Sequence, residues 1–186
     1  LQKPLRGSVE LLFTYDEEFG GEVGPGWLLT NKITRPDLLI AAGFSYQVIT
    51  AHNGCLQMEV TVHGKMAHAA IPSTGVDALQ GAVHILNALY AQNTLYQSVT
   101  SGVEGDPATV EATLRKVIAD VAAQTPGITV DVKRILLARA LQPLPGNQPL
   151  VEALQKHAGD IFGEPIPALG TPLYTDVRLF CEAGIP

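Results

Sequence analysis

The sequence predicts an α/β fold, because strand-like and helix-like apolar patterns alternate along its 186 residues. Residues 56–63 alternate apolar and polar side chains, the period of a strand with one solvated face. Residues 78–90 and 110–121 instead place apolar side chains at helical spacing. Glycine and proline clusters separate these segments. Apolar residues make up 46% of the chain, which is enough for a packed core.

The first region begins with an apolar run, residues 8–14, that we predict to be a buried strand. It ends in the triplet Asp16, Glu17 and Glu18, followed by Gly20 and Gly21. A glycine-rich connection leads to a short helix at residues 27–29. Two further short apolar runs follow, residues 37–42 and 46–50.

The central region reads strand, helix, gap, helix, strand. The first strand ends at Gly64, and Asp106 with Pro107 is a good start for the second helix. Gly127 then separates that helix from a strand at residues 128–132. Two strands are too few to cover two helices, so we expect residues to be missing near Gly105 and Asp106.

A linker at residues 143–149 leads to a last helix, which we expect Asn147 to cap. The apolar side chains predicted to share one side of this helix are Leu150, Leu154, Ala158 and Ile161.

Composition excludes some classes of function. The formal charge of −6 argues against a nucleic-acid surface, and no apolar stretch approaches the ~20 residues of a membrane span. No signal peptide is visible, although the chain begins with Leu1, so the true N-terminus is expected to lie further upstream. Cys55 and Cys181 lack metal-ligand spacing, so we expect reduced thiols and a cytoplasmic protein.

The carboxylate triplet is the first candidate site. The carboxyl ends of strands form the ligand crevice of open α/β sheets, and adjacent carboxylates repel one another unless a cation is bound. The alternative is a solvated acidic turn. His68 is the second candidate, since it lies in a loop stiffened by Gly64-Lys65 and Pro72. Its alternative is an ordinary surface histidine.

Three segments together resemble the M20 family of zinc amidohydrolases. They are Thr-Tyr-Asp-Glu-Glu-Phe-Gly-Gly (14–21), Gly-Lys-Met-Ala-His-Ala-Ala-Ile-Pro (64–72), and Thr-Asp-Val-Arg (175–178) with Gly-Ile-Pro (184–186). The family includes acetylornithine deacetylase, succinyl-diaminopimelate desuccinylase, aminoacylase-1 and carboxypeptidase G. The resemblance implies an α/β, zinc-peptidase-like catalytic domain formed by residues 1–53 and 141–186. It also implies an inserted α+β (ferredoxin-like) lid and dimerisation domain, residues 54–140, with two helices on a four-stranded antiparallel sheet.

The resemblance also assigns roles. Glu17 would be the general base that takes a proton from a metal-bound water, and Glu18 would be a ligand of zinc, for which cobalt or manganese could substitute. Asp16 completes this acidic site. His68 would reach the neighbouring subunit of a homodimer and stabilise the oxyanion. Arg178 is a candidate for holding the substrate carboxylate, with a structural ion pair to Asp176 or another carboxylate as the alternative.

Three departures from the family pattern bear on the metal site. The early His-x-Asp segment and the late histidine ligand are absent, which favours an incomplete record of a longer chain. In addition, Gly43 occupies the position where the family places a glutamate or aspartate. We therefore predict a mononuclear or weakened metal site centred on Glu18.

Three functions remain open from the sequence. The leading hypothesis is hydrolysis of an amide bond in an N-acyl amino acid or small peptide. The second is a family member that has lost catalysis and serves as a binding or dimerisation protein, which Gly43 favours and Glu17, Glu18 and His68 oppose. The third is a lid domain that carries only parts of the catalytic domain into which it is inserted, and that serves only dimerisation.

Overall fold

The computed structural model describes residues 6–43, 46–97 and 106–186, which combine helices and strands as the α/β prediction requires. The chain divides into two compact units, residues 1–55 with 138–186, and residues 56–137. The predicted domain bounds, 54 and 140, lie within three residues of this division. That one unit is catalytic and the other a lid stays a prediction.

The first unit contains a two-stranded parallel sheet. Strand β1 (Val48–His52) pairs with β4 (Ala168–Thr171), with Val48 opposite Ala168 and His52 opposite Thr171. The helices of this unit are α1 (Pro25–Thr30), α4 (Gln148–Phe162) and α5 (Val177–Glu182). Helix α4 packs on β1, and α1 packs against α5.

Buried apolar side chains from α4, α5 and the connections between elements form the core of the first unit. The members are Leu141, Val151, Ile166, Leu179, Phe180 and Ile185. His52, at the end of β1, is buried with them and bridges to Leu141 through backbone hydrogen bonds.

The prediction of a buried strand at residues 8–14 is wrong. These residues form no regular secondary structure, and the Phe13 side chain is 88% exposed. A strand needs a neighbour to pair its N–H and C=O groups. Among the described residues, no backbone hydrogen bond of this kind reaches the segment.

The short helix at residues 27–29 is confirmed as α1, one turn longer than predicted. Helix α4 begins directly after Asn147, but the Asn147 side chain makes no capping hydrogen bond, and the predicted apolar side of the helix is wrong at its last position. Val151 is the buried residue of this helix, whereas Ile161 is exposed.

The second unit has the predicted order of strand, helix, helix, strand. Strand β2 (Cys55–His63) pairs with β3 (Thr129–Ala138), and helices α2 (Ala78–Gln97) and α3 (Pro107–Gln124) connect them. The suspected junction at Gly105 and Asp106 borders residues 98–105, which lie outside the described residues. The described part of the second unit contains two strands, whereas the family resemblance implied four.

Close packing joins α2 to the strands of the second unit. A methyl group at Gly81 would lie 3.0 Å from Cδ1 of Ile128 and 3.4 Å from Cγ1 of Val62, so a larger residue would force these side chains to shift by a few tenths of an ångström. Ile85 is buried one turn further along the same side. Helix α3 contributes buried Ile118 together with Glu111, whose carboxylate binds Arg115 and Arg134.

Candidate active site at a carboxylate turn

The predicted acidic site is a tight turn formed by residues 16–21, which we call the carboxylate turn. Glu17–Phe19 form a 3₁₀ helix, closed by hydrogen bonds from the Phe19 and Gly21 amides to the Asp16 carbonyl, both 3.0 Å. Gly20 and Gly21 have φ angles of 95° and 69°, which L-residues rarely adopt. The two glycines in the sequence are therefore what allows the chain to reverse directly after the carboxylates.

Asp16 is a structural member of the turn. Its side chain is only 7% exposed, and Oδ2 accepts hydrogen bonds from the Val23 and Gly24 amides at 2.8 and 2.9 Å. A methyl group at Gly24 would lie 2.2 Å from Oδ1, so this carboxylate fills the space beside the backbone. Asp16 thus ties the turn to the start of α1.

Glu17 and Glu18 have different surroundings although they are adjacent. Glu17 is half-buried, and burial, followed by the negative charge of Glu18, raises the pKa of its carboxyl group. Glu18 is exposed to solvent. A carboxyl group with a raised pKa is suited to accepting and returning a proton, whereas an exposed carboxylate is free to bind a cation.

Asp176 is a member of the site that the sequence suggested only as an ion-pair partner for Arg178, and its carboxylate makes no such pair among the described residues. It packs on Gly21, where a methyl group would lie 2.1 Å from Asp176 Oδ1. Within the described residues, neither of its buried oxygens has a hydrogen-bond partner. Burial, then the charges of Glu17 and Asp16, raise its pKa to about 6. The only sequence signal was the Thr-Asp-Val-Arg segment, which gave the aspartate no role in the chemistry of the site.

Arg178 lies beneath the same turn. Its side chain is 3% exposed, and Nη2 donates a hydrogen bond to the Gly20 carbonyl at 2.6 Å. Nη1 lies 3.4 Å from Oε1 of Glu182, and Nη2 lies 3.8 Å from Oε1 of Glu22. These contacts favour the structural alternative, and binding of a substrate carboxylate by Arg178 stays a prediction.

Gly43 is exposed, and no atom lies within 4 Å of the position that a Cβ would take. Neither space nor a positive φ angle therefore requires glycine here. The absent carboxylate at this position is a difference in chemistry, without a packing reason in the described residues.

The described residues do not form a zinc site by themselves. No group of three or more histidine, cysteine, aspartate or glutamate side chains in residues 6–43, 46–97 and 106–186 could hold a metal ion. Zinc sites in proteins use three or four such ligands. Glu18 could supply one of them, and Cys55 and Cys181, which form no disulfide, do not add to it.

His68 belongs to the second unit, in a loop held at its base by the paired backbones of Lys65 and Val76. The imidazole is exposed, and its Nδ1 accepts the Ala70 N–H at 3.1 Å. In the neutral ring the proton is thereby assigned to Nε2, which becomes a hydrogen-bond donor. His68 also lines a shallow depression together with Lys65, Pro72 and Asp77.

Comparison with known proteins identifies the family to which this chain belongs. The model of the M20 peptidase dimerisation domain matches residues 50–143, which is 94 of the 186 residues. Two curated relatives are succinyl-diaminopimelate desuccinylase 1 of Alteromonas mediterranea and an uncharacterized metallohydrolase of Methanocaldococcus jannaschii. They are 34% and 32% identical over 87 and 98 residues, or 42% and 48% of this chain. The chain belongs to the M20 family of metallopeptidases.

Solved structures show the same fold. Aminopeptidase PepT of Bacillus cereus matches 93% of this chain with a TM-score of 0.56 and 16% identity. A tripeptidase of Staphylococcus aureus matches 88% with a TM-score of 0.58 and 14% identity. The matches span 53% and 52% of those chains, and only 22% and 23% of the two curated relatives. Among the described helices, none combines the length and apolarity needed to cross a membrane.

Proposed function

We propose that this chain is part of a metal-dependent hydrolase that cleaves an amide bond in N-acyl amino acids or small peptides. The observation that carries the proposal is the pairing of half-buried Glu17, with its raised pKa, and exposed Glu18 on one turn. Membership of a metallopeptidase family supports it. The acyl group and the amino acid are not specified by any described contact.

Glu17 is the general base of this proposal. Its carboxylate accepts a proton from the water that attacks the amide carbon, and later returns a proton to the departing amine nitrogen. Glu18 is proposed to bind a divalent ion, zinc or in its place cobalt or manganese. The described residues do not complete that site, so the remaining ligands must come from outside them.

His68 is proposed to stabilise the oxyanion of the tetrahedral intermediate. The geometry that supports this role is the Ala70 N–H bound to Nδ1, which leaves Nε2–H free to donate in the neutral ring. The proposal that it acts in the partner subunit's site follows from the family resemblance.

A cytoplasmic location stays a prediction.

We also propose a homodimer in which a second copy of this chain covers the outer side of α2. Large apolar residues recur there at positions 79, 83, 86 and 90, on the side turned away from buried Ile85. All four are exposed, and the 20-residue helix contains no aspartate, glutamate, lysine or arginine. Depletion of charge around exposed apolar side chains is typical of interface cores. The matched family model is a dimerisation domain, which favours an identical copy as the partner.

The central test replaces Glu17 with glutamine in the complete gene product. Glutamine keeps the size of the side chain but cannot accept the proton, so we expect kcat for zinc-dependent hydrolysis of N-acyl amino acids to fall about 10²–10⁴-fold. The control is Glu10→Gln, which changes an exposed glutamate earlier in the same segment of the chain. Activity that survives Glu17→Gln unchanged would remove Glu17 as the base.

A second candidate is a catalytically impaired relative that binds or dimerises. Gly43 favours it, since one expected carboxylate ligand is absent at that position. A stable dimer with no metal-dependent activity on any acyl-amino acid or peptide would support this candidate over the hydrolase.

A further inference from the structure

The segment of residues 174–178, just before and into α5, contacts the carboxylate turn at three points. The Tyr174 hydroxyl donates a hydrogen bond to the Glu17 carbonyl at 3.0 Å. Asp176 packs on Gly21, and Arg178 donates to the Gly20 carbonyl at 2.6 Å. We call this segment the brace, because its hydrogen bonds go to the backbone of the turn.

His52 anchors the brace from the other side. It is 4% exposed, at the end of β1, and its Nε2 accepts the Thr175 N–H at 3.2 Å. Its Nδ1 lies 2.8 Å from the Asn53 carbonyl, so the ring donates there and accepts at Nε2. The Leu141 amide is 3.4 Å from the same Nδ1, but its shorter contact, 3.0 Å, is with the His52 carbonyl.

Successive hydrogen bonds thus connect buried His52 to the residue proposed as the base. His52 binds Thr175, and the neighbouring Tyr174 binds Glu17. Burial lowers the pKa of His52, in keeping with a neutral ring that can accept at Nε2. The turn itself is a three-residue 3₁₀ helix with few hydrogen bonds of its own. A short element of this kind takes its position from its neighbours.

We infer that His52 and Tyr174 are positioning residues for Glu17. His52 binds the Thr175 amide, and Tyr174, the residue just before Thr175, binds the backbone carbonyl of Glu17. The inference rests on the proposed function for the role of Glu17. Neither residue is placed against substrate or reacting atoms. Neither was singled out in the sequence, because their partners lie 123 and 157 positions away along the chain.

The first experiment compares Tyr174→Phe with Tyr46→Phe, an exposed tyrosine of the same unit. Both variants keep the ring and lose only the hydroxyl. Amide hydrogen exchange of residues 16–21 is expected to speed up about three- to tenfold in Tyr174→Phe, the effect of losing one hydrogen bond. In the complete gene product, kcat should fall by a similar factor with KM within twofold, since the base is displaced while binding is retained.

The second experiment compares two replacements of His52 with similar volume. Glutamine offers a carbonyl oxygen that can accept the Thr175 N–H, whereas leucine offers none. We expect His52→Leu to speed up exchange in both 174–178 and 16–21, and His52→Gln to restore it to within twofold of wild type. Restoration by glutamine alone is not expected if His52 only fills space.

Two results would overturn the inference. One is exchange in residues 16–21 of Tyr174→Phe that matches Tyr46→Phe, and the other is equal behaviour of His52→Gln and His52→Leu. The exchange measurements need no catalytic activity. An inactive wild type would therefore contradict the proposed function alone, and the exchange data would still decide whether the brace positions the turn.

Discussion

The two aspartates at the carboxylate turn, Asp16 and Asp176, differ in their hydrogen bonding. Asp16 is buried but accepts two backbone hydrogen bonds, while Asp176 is enclosed with no partner in the described residues. Enclosure without hydrogen bonds favours the protonated form, as does the negative charge of neighbouring carboxylates. The pKa of about 6 for Asp176 follows from this, and it predicts an effect on stability.

We predict that Asp176→Asn stabilises the chain at pH 8 by about 1–2 kcal/mol, allowing for partial solvent exposure. The folded pKa of Asp176 lies above its ordinary value of 3.8, so the unfolded chain releases this proton first. Wild-type stability therefore falls as pH rises from about 4 to about 6. As the pH is lowered through the same window, the stability gained by the variant should shrink, and below about pH 4 it should vanish.

Urea unfolding between pH 4 and pH 8 measures this, with Asp37→Asn at an exposed position as the control. A variant that is no more stable than wild type at pH 8 would mean that Asp176 has a partner in solution.

A second prediction concerns Gly43. Since nothing lies near its missing side chain, Gly43→Asp should change the free energy of unfolding by no more than about 0.5 kcal/mol. In the complete gene product we expect wild type to hold at most one tightly bound zinc, and the variant to gain affinity for a second. Metal titration measures both. Two tightly held ions in wild type would contradict the assignment of this position.

The elements of the first unit show how a turn depends on what packs against it. Gly21 has a φ angle of 69°, and Asp176 occupies the space that its side chain would need. Gly163, at the end of α4, has a similar φ angle of 77° with nothing within 4 Å. The pair separates backbone strain from steric conflict.

We predict that Gly163→Ala costs about 1–2 kcal/mol of stability, the strain of a left-handed alanine. Gly21→Ala should cost at least about 1 kcal/mol more, because the brace must also move. Chemical unfolding of both variants gives the comparison. Equal losses would show that the contact between Asp176 and Gly21 is loose in solution.

On the scale of the whole molecule, the question is how the second unit meets its partner. The uncharged outer side of α2 contrasts with α3, which carries Glu111, Arg115, Lys116 and Asp120. We predict a dimer for the wild-type chain, and a monomer for Leu86→Glu, since a glutamate would be buried without a partner in the interface. Sedimentation velocity measures the change.

The matched control is Ala112→Glu, an exposed position on α3 that should leave the dimer intact. Dimers that persist in Leu86→Glu would remove α2 as the interface. A wild-type chain that is monomeric at all concentrations would contradict the homodimer itself.

The sequence alone determined what local patterns can specify. The alternation at residues 56–63 became β2, and the helical spacing after Ala78 and Pro107 became α2 and α3. The M20 family was also identified from short motifs, and the matched family model confirms it. Local periodicity and local turn chemistry sufficed for these, because each depends on residues that are neighbours in the chain.

Only the tertiary structure decided the rest. The apolar run at residues 8–14 has the composition of a strand, but a strand requires a distant partner that the pattern cannot supply. Asp176, Tyr174 and His52 reach the carboxylate turn or its brace from more than 100 positions away, so no spacing rule could find them. The sequence specifies which carboxylates are present, whereas the raised pKa values of Glu17 and Asp176 depend on burial, which exists only once the chain has folded.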